Sequence, residues 1–171
     1  MEINRSRDVI VLYKDMAFPV EVDPAMVAAG WAGGQGVTWT DSPDDEFRVT
    51  FSDGTWGGFM LAGSNESADQ LIAYTGNQPK YQFGVMCAGT ALISTISFER
   101  YTLESRTAGP LVENTWVVGS KVRLSLRGLF TPQDEWTIAA DPRAPNEFYA
   151  GSIVQPPRPN NNNYVMIQTA M

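Results

Sequence analysis

Histidine is absent from the 171 residues, and cysteine occurs once, at Cys87. Without an imidazole, no side chain has an unperturbed pKa near neutrality, so Ser-His-Asp and Cys-His mechanisms are excluded as usually built. A zinc site, which needs His or several Cys, is excluded with them. One cysteine forms no internal disulfide. Its setting, Gly84-Val85-Met86-Cys87-Ala88, is apolar and reads as that of a small buried hydrophobe. No run approaches the roughly 18 apolar residues of a membrane span. The first eight residues lack the apolar core of a signal sequence, so a cytosol-like place of synthesis is expected. Phosphate-binding and dinucleotide-binding glycine motifs are missing. Basic residues are scarce: 12 Lys and Arg against 19 Asp and Glu, for a net charge of −7. Residues 1–110 hold 14 acids and 7 bases, and residues 111–171 hold 5 of each. An acidic chain has no long-range attraction for a phosphate backbone, so nucleic acid is not expected as a partner. No enzyme, no cofactor and no metal is the reading of these absences.

Aromatic residues are plentiful, with five Trp, six Tyr and eight Phe. At this length roughly 70% of the unfolded chain's surface is buried on folding, which is enough for a real core. Helix signals are few. Asp23-Pro24 opens and Gly30 closes a stretch with a cap, a proline at the first helical position and a terminal glycine. Ser67 to Ala73 suggests another short helix. Strand signals are many: 8–13, 37–40, 47–51, 59–61, 81–86, 91–102, 121–127, 148–154 and 164–168. In Lys121-Val122-Arg123-Leu124-Ser125-Leu126-Arg127 the apolar residues alternate with the polar ones, as a strand with one buried and one wet face requires. Lys121, Arg123 and Arg127 then form that wet face. Short turns of Gly, Pro, Asn and Asp between the strands, such as Asp53-Gly54, predict a mainly β fold. It is expected to be an antiparallel β-barrel or sandwich with one or two short helices. The chain reads as one domain, with a seam at Thr107–Pro110 between a 1–110 region and a 111–171 part.

Candidate sites are contacts rather than chemistry. Asp41, Asp44, Asp45 and Glu46 are close enough in sequence to suggest calcium, but they lack the spacing of a calcium loop and read as a solvated turn. A pair of carboxylates working as in a glycosidase is formally open among 19 acids, and nothing points to one. Trp31, Trp39 and Trp56 lie near turns. In a row they would stack on sugar rings, as a carbohydrate-binding sandwich would; buried, they would fill the core. Three loops stand out: Ala29–Gly36, residues 41–46, and the Pro- and Asn-rich stretch Gln155–Asn163.

Val118-Gly119-Ser120-Lys121-Val122-Arg123-Leu124-Ser125-Leu126-Arg127-Gly128-Leu129-Phe130-Thr131 sets a glycine turn, an alternating strand, a second turn and a short strand in order. Phe148–Val154 and Tyr164–Gln168 follow as a hairpin. This order resembles the C-terminal β-barrel part of phage capsid decoration proteins. The resemblance covers about a third of the chain. It departs from the pattern at Arg127-Gly128, where Asn-Gly or Asp-Gly would make a tighter turn, and in the long 155–163 loop. It implies a virion protein on the outer surface of the head, made in the host cytoplasm. The implied partners are the major capsid protein and the chain itself, as a homotrimer. Ile3, Arg5 and Arg7 in the N-terminal arm, with Trp31 in its glycine-rich loop, are the candidate subunit or capsid contacts. The alternatives are a tail-tube or other tail protein and a carbohydrate-binding β-sandwich.

Overall fold

The computed structural model describes residues 9–43, 47–52, 56–61, 63, 83–144 and 149–169. Ile3, Arg5 and Arg7, the helix expected at 67–73, the turn at Asp53-Gly54 and three of the four clustered acids lie outside the described residues.

The fold is mainly β. Its strands are β1 (Val9–Val22), β2 (Gly36–Thr40), β3 (Arg48–Phe51), β4 (Gly58–Met60), β5 (Phe83–Thr95), β6 (Lys121–Leu124), β7 (Phe130–Thr131), β8 (Gly151–Gln155) and β9 (Val165–Thr169). Among the described residues three short α-helices join them: α1 (Pro24–Ala29), α2 (Leu103–Thr107) and α3 (Glu135–Ile138). The expected helix forms because the Asp23 carboxylate accepts a hydrogen bond from the Ala25 N–H at 3.2 Å and Pro24 needs no partner at the first position. Gly30, at φ +74°, ends it.

β1 and β5 are the long strands, and they pair antiparallel from Val9 opposite Thr95 to Glu21 opposite Phe83. The C-terminal end of β1 also runs parallel to β3, with Glu21 opposite Arg48. β3, β2, β4 and β5 follow as antiparallel neighbours, so hydrogen bonding returns to β1 and closes a circuit. On its other half β5 leads through β9, β8 and β6 to β7. Phe130 of β7 bridges to Phe98, just beyond the end of β5, and closes a second circuit. β5 belongs to both.

Each circuit encloses a core. The first holds Val20, Val22, Met26, Trp31, Val37, Val49, Met60 and Met86. The second holds Phe59, Cys87, Ala91, Ile93, Val122, Leu124, Phe130, Ile153, Val165 and Ile167. Met86 faces one core and Cys87 the other because successive strand residues point to opposite faces. Burying each large aliphatic side chain contributes about 1.5–3 kcal/mol. The circuits meet where backbones come close. Gly36 N–H donates to Gly128 O at 2.8 Å, and a Cβ on Gly36 would lie 2.4 Å from a Leu124 methyl group. A side chain there would have to displace Leu124.

Several strands end elsewhere than periodicity suggests. β1 extends nine residues past Tyr13, because β5 offers it a partner along its whole length. β5 stops at Thr95, and the residues 96–102 expected to continue it form Phe98's bridge, an extended segment and, at Thr102, the cap of α2. β6 stops at Leu124 because Ser125 turns inward, fully buried, and opens a turn.

Candidate functional site

Among the described residues three carboxylates are buried beside these cores: Glu21, Glu99 and Glu135, all at most 1% exposed. Such groups are tolerated only when paired and hydrogen-bonded. Glu21 in the first circuit is held by Arg48 and by the Ser42 hydroxyl, which donates at 2.6 Å. The second circuit has a larger network. Arg106 lies between Glu135 and Glu99, while Arg127 grips both oxygens of Glu99 at 2.9 and 2.5 Å. The Ser125 hydroxyl donates to Glu99 at 2.8 Å, and the Leu126 N–H donates to Glu135 at 3.2 Å. Burial alone would push the Glu99 carboxyl up. Hydrogen bonds from Arg127 and Ser125 and the charges of Arg106 and Arg127 outweigh it and hold the group below the usual carboxylate range. With its oxygens filled by fixed donors, Glu99 is a structural ion. Burial pushes the Cys87 thiol up to about 11, which leaves it a poor nucleophile.

The feature built like a binding site is an open groove of about 410 Å³. One wall is made by two extended segments, 100–102 and 112–114. They pair through Thr102 N–H to Val112 O and Asn114 N–H to Arg100 O, both at 2.8 Å. Arg100 donates to one oxygen of Glu113 through Nε at 3.0 Å and Nη2 at 2.9 Å. Both side chains of this pair are about two-thirds exposed, at 66% and 64%. Phe98 and Trp116 line the groove as an edge-to-face pair, with centroids 5.4 Å apart and planes at 86°. The opposite wall is the β8–β9 connection. Pro156 and Pro157 follow β8 there, and Asn163 sits in the left-handed region at φ +59°. Asn is among the few residues that tolerate that conformation.

Asn114 lines the groove and is 9% exposed. Its amide nitrogen donates to Glu99 O at 2.8 Å and Tyr101 O at 3.1 Å. Its Oδ1 is a buried acceptor with no partner. A buried acceptor left without a donor costs about 1–3 kcal/mol.

The tryptophans singled out by sequence do not form a row. Trp31 is 6% exposed and packs in the first core. Trp56 packs against Phe59 and Phe130 of the second. Trp39 is 47% exposed and stands edge-on to Phe47. The groove residues escaped sequence reading because 96–102 looked like strand and Trp116 lies in no periodic segment. The signal within reach was the Pro- and Asn-rich loop, which supplies one wall.

A second surface feature is apolar. Leu111, Val112, Val117 and Val118 are 54–60% exposed, and on β1 Leu12, Tyr13 and Met16 are 53–57% exposed. Among the described residues no cluster of three or more Cys, Asp or Glu could hold a metal ion. No described helix is long and apolar enough to cross a membrane. Comparison of the chain with protein-family models, curated proteins and solved structures gives no match.

Proposed function

We propose that this chain is a virion structural protein that decorates the outside of an assembled phage head and stabilises it. The observation that carries the reading is the exposed apolar segment. Two adjacent pairs, Leu111-Val112 and Val117-Val118, hold aliphatic side chains in water at more than half exposure. Single exposed apolar residues are ordinary on any protein surface, whereas grouped ones mark contact surfaces. The Gly119 N–H donates to Ile153 O, which ties this segment to β8. The segment is therefore presented from a fixed edge. Glu99 in the second circuit is buried and held by Ser125 and Arg127, which supports a structural role for it over catalysis.

A protein that binds only the assembled shell stabilises it by mass action, and several copies each touching more than one subunit add avidity. The test is sedimentation of the full chain alone and with expanded phage heads. The expected result is a self-associated species, a trimer, that cosediments with heads. Val117→Ser with Val118→Ser is expected to keep the fold and weaken that association. A monomer at every concentration that ignores heads overturns the reading. Six-fold rings seen by electron microscopy would place it in a tail instead.

A further inference from the structure

We infer that the groove between Trp116 and the Pro156–Asn163 loop is a binding site for a neutral oligosaccharide. Its volume, about 410 Å³, lies within the range of small-ligand pockets, roughly 300–1,000 Å³. Its lining has the two kinds of surface that a sugar ring needs. The first is aromatic. Phe98 and Trp116 pack against the second core and are only partly buried, so the ring surface left in the groove is open to the apolar C–H face of a pyranose. The second is a set of uncommitted polar groups. The Trp116 indole N–H and the Asn163 side-chain amide make no hydrogen bond within the described structure, and Arg100 engages one oxygen of Glu113 and leaves the other open.

These groups discriminate between ligand classes. Glu113 offers an acceptor and so favours a ligand that donates, while the Trp116 indole N–H favours one that accepts. Sugar hydroxyls do both. A proline-rich peptide presents carbonyl acceptors and few donors, and it would leave the open Glu113 oxygen without a partner. An anionic sugar would meet the Glu113 carboxylate in the groove and approach a chain of net charge −7. The groove is therefore matched to an uncharged, hydroxyl-rich ring. This inference is independent of the head-decoration reading.

The test uses the full chain and ligand-observed NMR against neutral gluco-, manno- and galacto-oligosaccharides and N-acetylglucosamine oligomers. A sulfated oligosaccharide and a polyproline peptide serve as the other two arms. At least one neutral oligosaccharide is expected to bind. Glu113→Ala is expected to weaken it about tenfold or more, since it removes a charged acceptor. The Arg100–Glu113 pair is exposed and contributes little to stability, so this variant keeps its fold. Trp116→Phe, which retains a ring and loses the indole N–H, is expected to weaken binding less than Glu113→Ala. Circular dichroism checks both folds. The inference is overturned if no neutral oligosaccharide binds, if binding is unchanged in both folded variants, or if the sulfated sugar or the peptide binds in their place. Any of these results leaves sedimentation with heads unaffected, so the two proposals fail separately.

Discussion

The two circuits share β5 and treat buried charge differently. The first holds one buried carboxylate, Glu21, with Arg48 and Ser42. The second holds two, Glu99 and Glu135, with Arg106 between them and Arg127 and Ser125 on the flank. The first core is closed by β1 and β5, with the shorter β2, β3 and β4 between them in one continuous ladder. In the second, the chain between Ser97 and Glu135 leaves regular structure repeatedly, through α2, the 112–120 segment and the Ser125 turn. Irregular backbone leaves donors and acceptors that a ladder would have filled. The ionic network fills them: Glu135 accepts from Leu126 N–H, and Arg106 donates to Tyr101 O. The difference teaches that buried ions here stand in for missing sheet.

The largest expected effect tests that contrast directly. Arg106→Ala leaves two carboxylates facing each other without their shared cation, and it should destabilise the protein by about 3–5 kcal/mol. Denaturant unfolding measures it, and Arg48→Ala, which uncovers one carboxylate, should cost less. Equal losses would break the comparison.

Next come the apolar cores. Met60→Ala in the first and Ile167→Ala in the second should each cost about 2–5 kcal/mol. Because β5 lines both cores, each variant should still unfold in one transition seen alike by fluorescence and far-UV circular dichroism. A second transition in either variant would show that the circuits are separate units. Gly36→Ala, at the junction, should cost about 1–3 kcal/mol through crowding against Leu124.

A pH series sharpens the contrast further. The Glu99 carboxyl is held below its ordinary range, so the stability it contributes is present above the unfolded carboxylate value and is lost as pH falls through the lower folded one. The denaturation midpoint should therefore drop on acidification below about pH 4, near that unfolded value. Glu99→Gln should be less stable at pH 7 and less sensitive to acid. A variant with the wild-type acid response would remove Glu99 from this role. The smallest effect is kinetic. Cys87, fully buried with its thiol pushed up to about 11, should react with a thiol reagent only as fast as the cores open.

Much of this architecture was legible in the residues. Asp23-Pro24 and Gly30 located α1, and the alternation of Val122 and Leu124 located β6 and its buried face. The apolar setting of Cys87 foretold its burial. What was not legible has physical causes. Lys14–Val22 shows no clean period of two and contains Pro19, yet it is strand because β5 runs beside it throughout. Arg127 reads as the wet end of a strand, while in the fold it reaches back across 28 residues to a carboxylate. Trp116 and Arg100 gained a common groove only when segments 100–102 and 112–114 came together.

The amino-acid sequence by itself determined a mainly β chain without imidazole chemistry or internal disulfide, because composition and period-two patterning act locally. The tertiary structure alone decided that one strand serves two cores, that three glutamates lie buried, and that Phe98, Trp116, Arg100 and Glu113 line one groove. Those outcomes depend on contacts between residues far apart in the chain, and no local preference encodes which distant partner will satisfy a buried charge or an open strand edge.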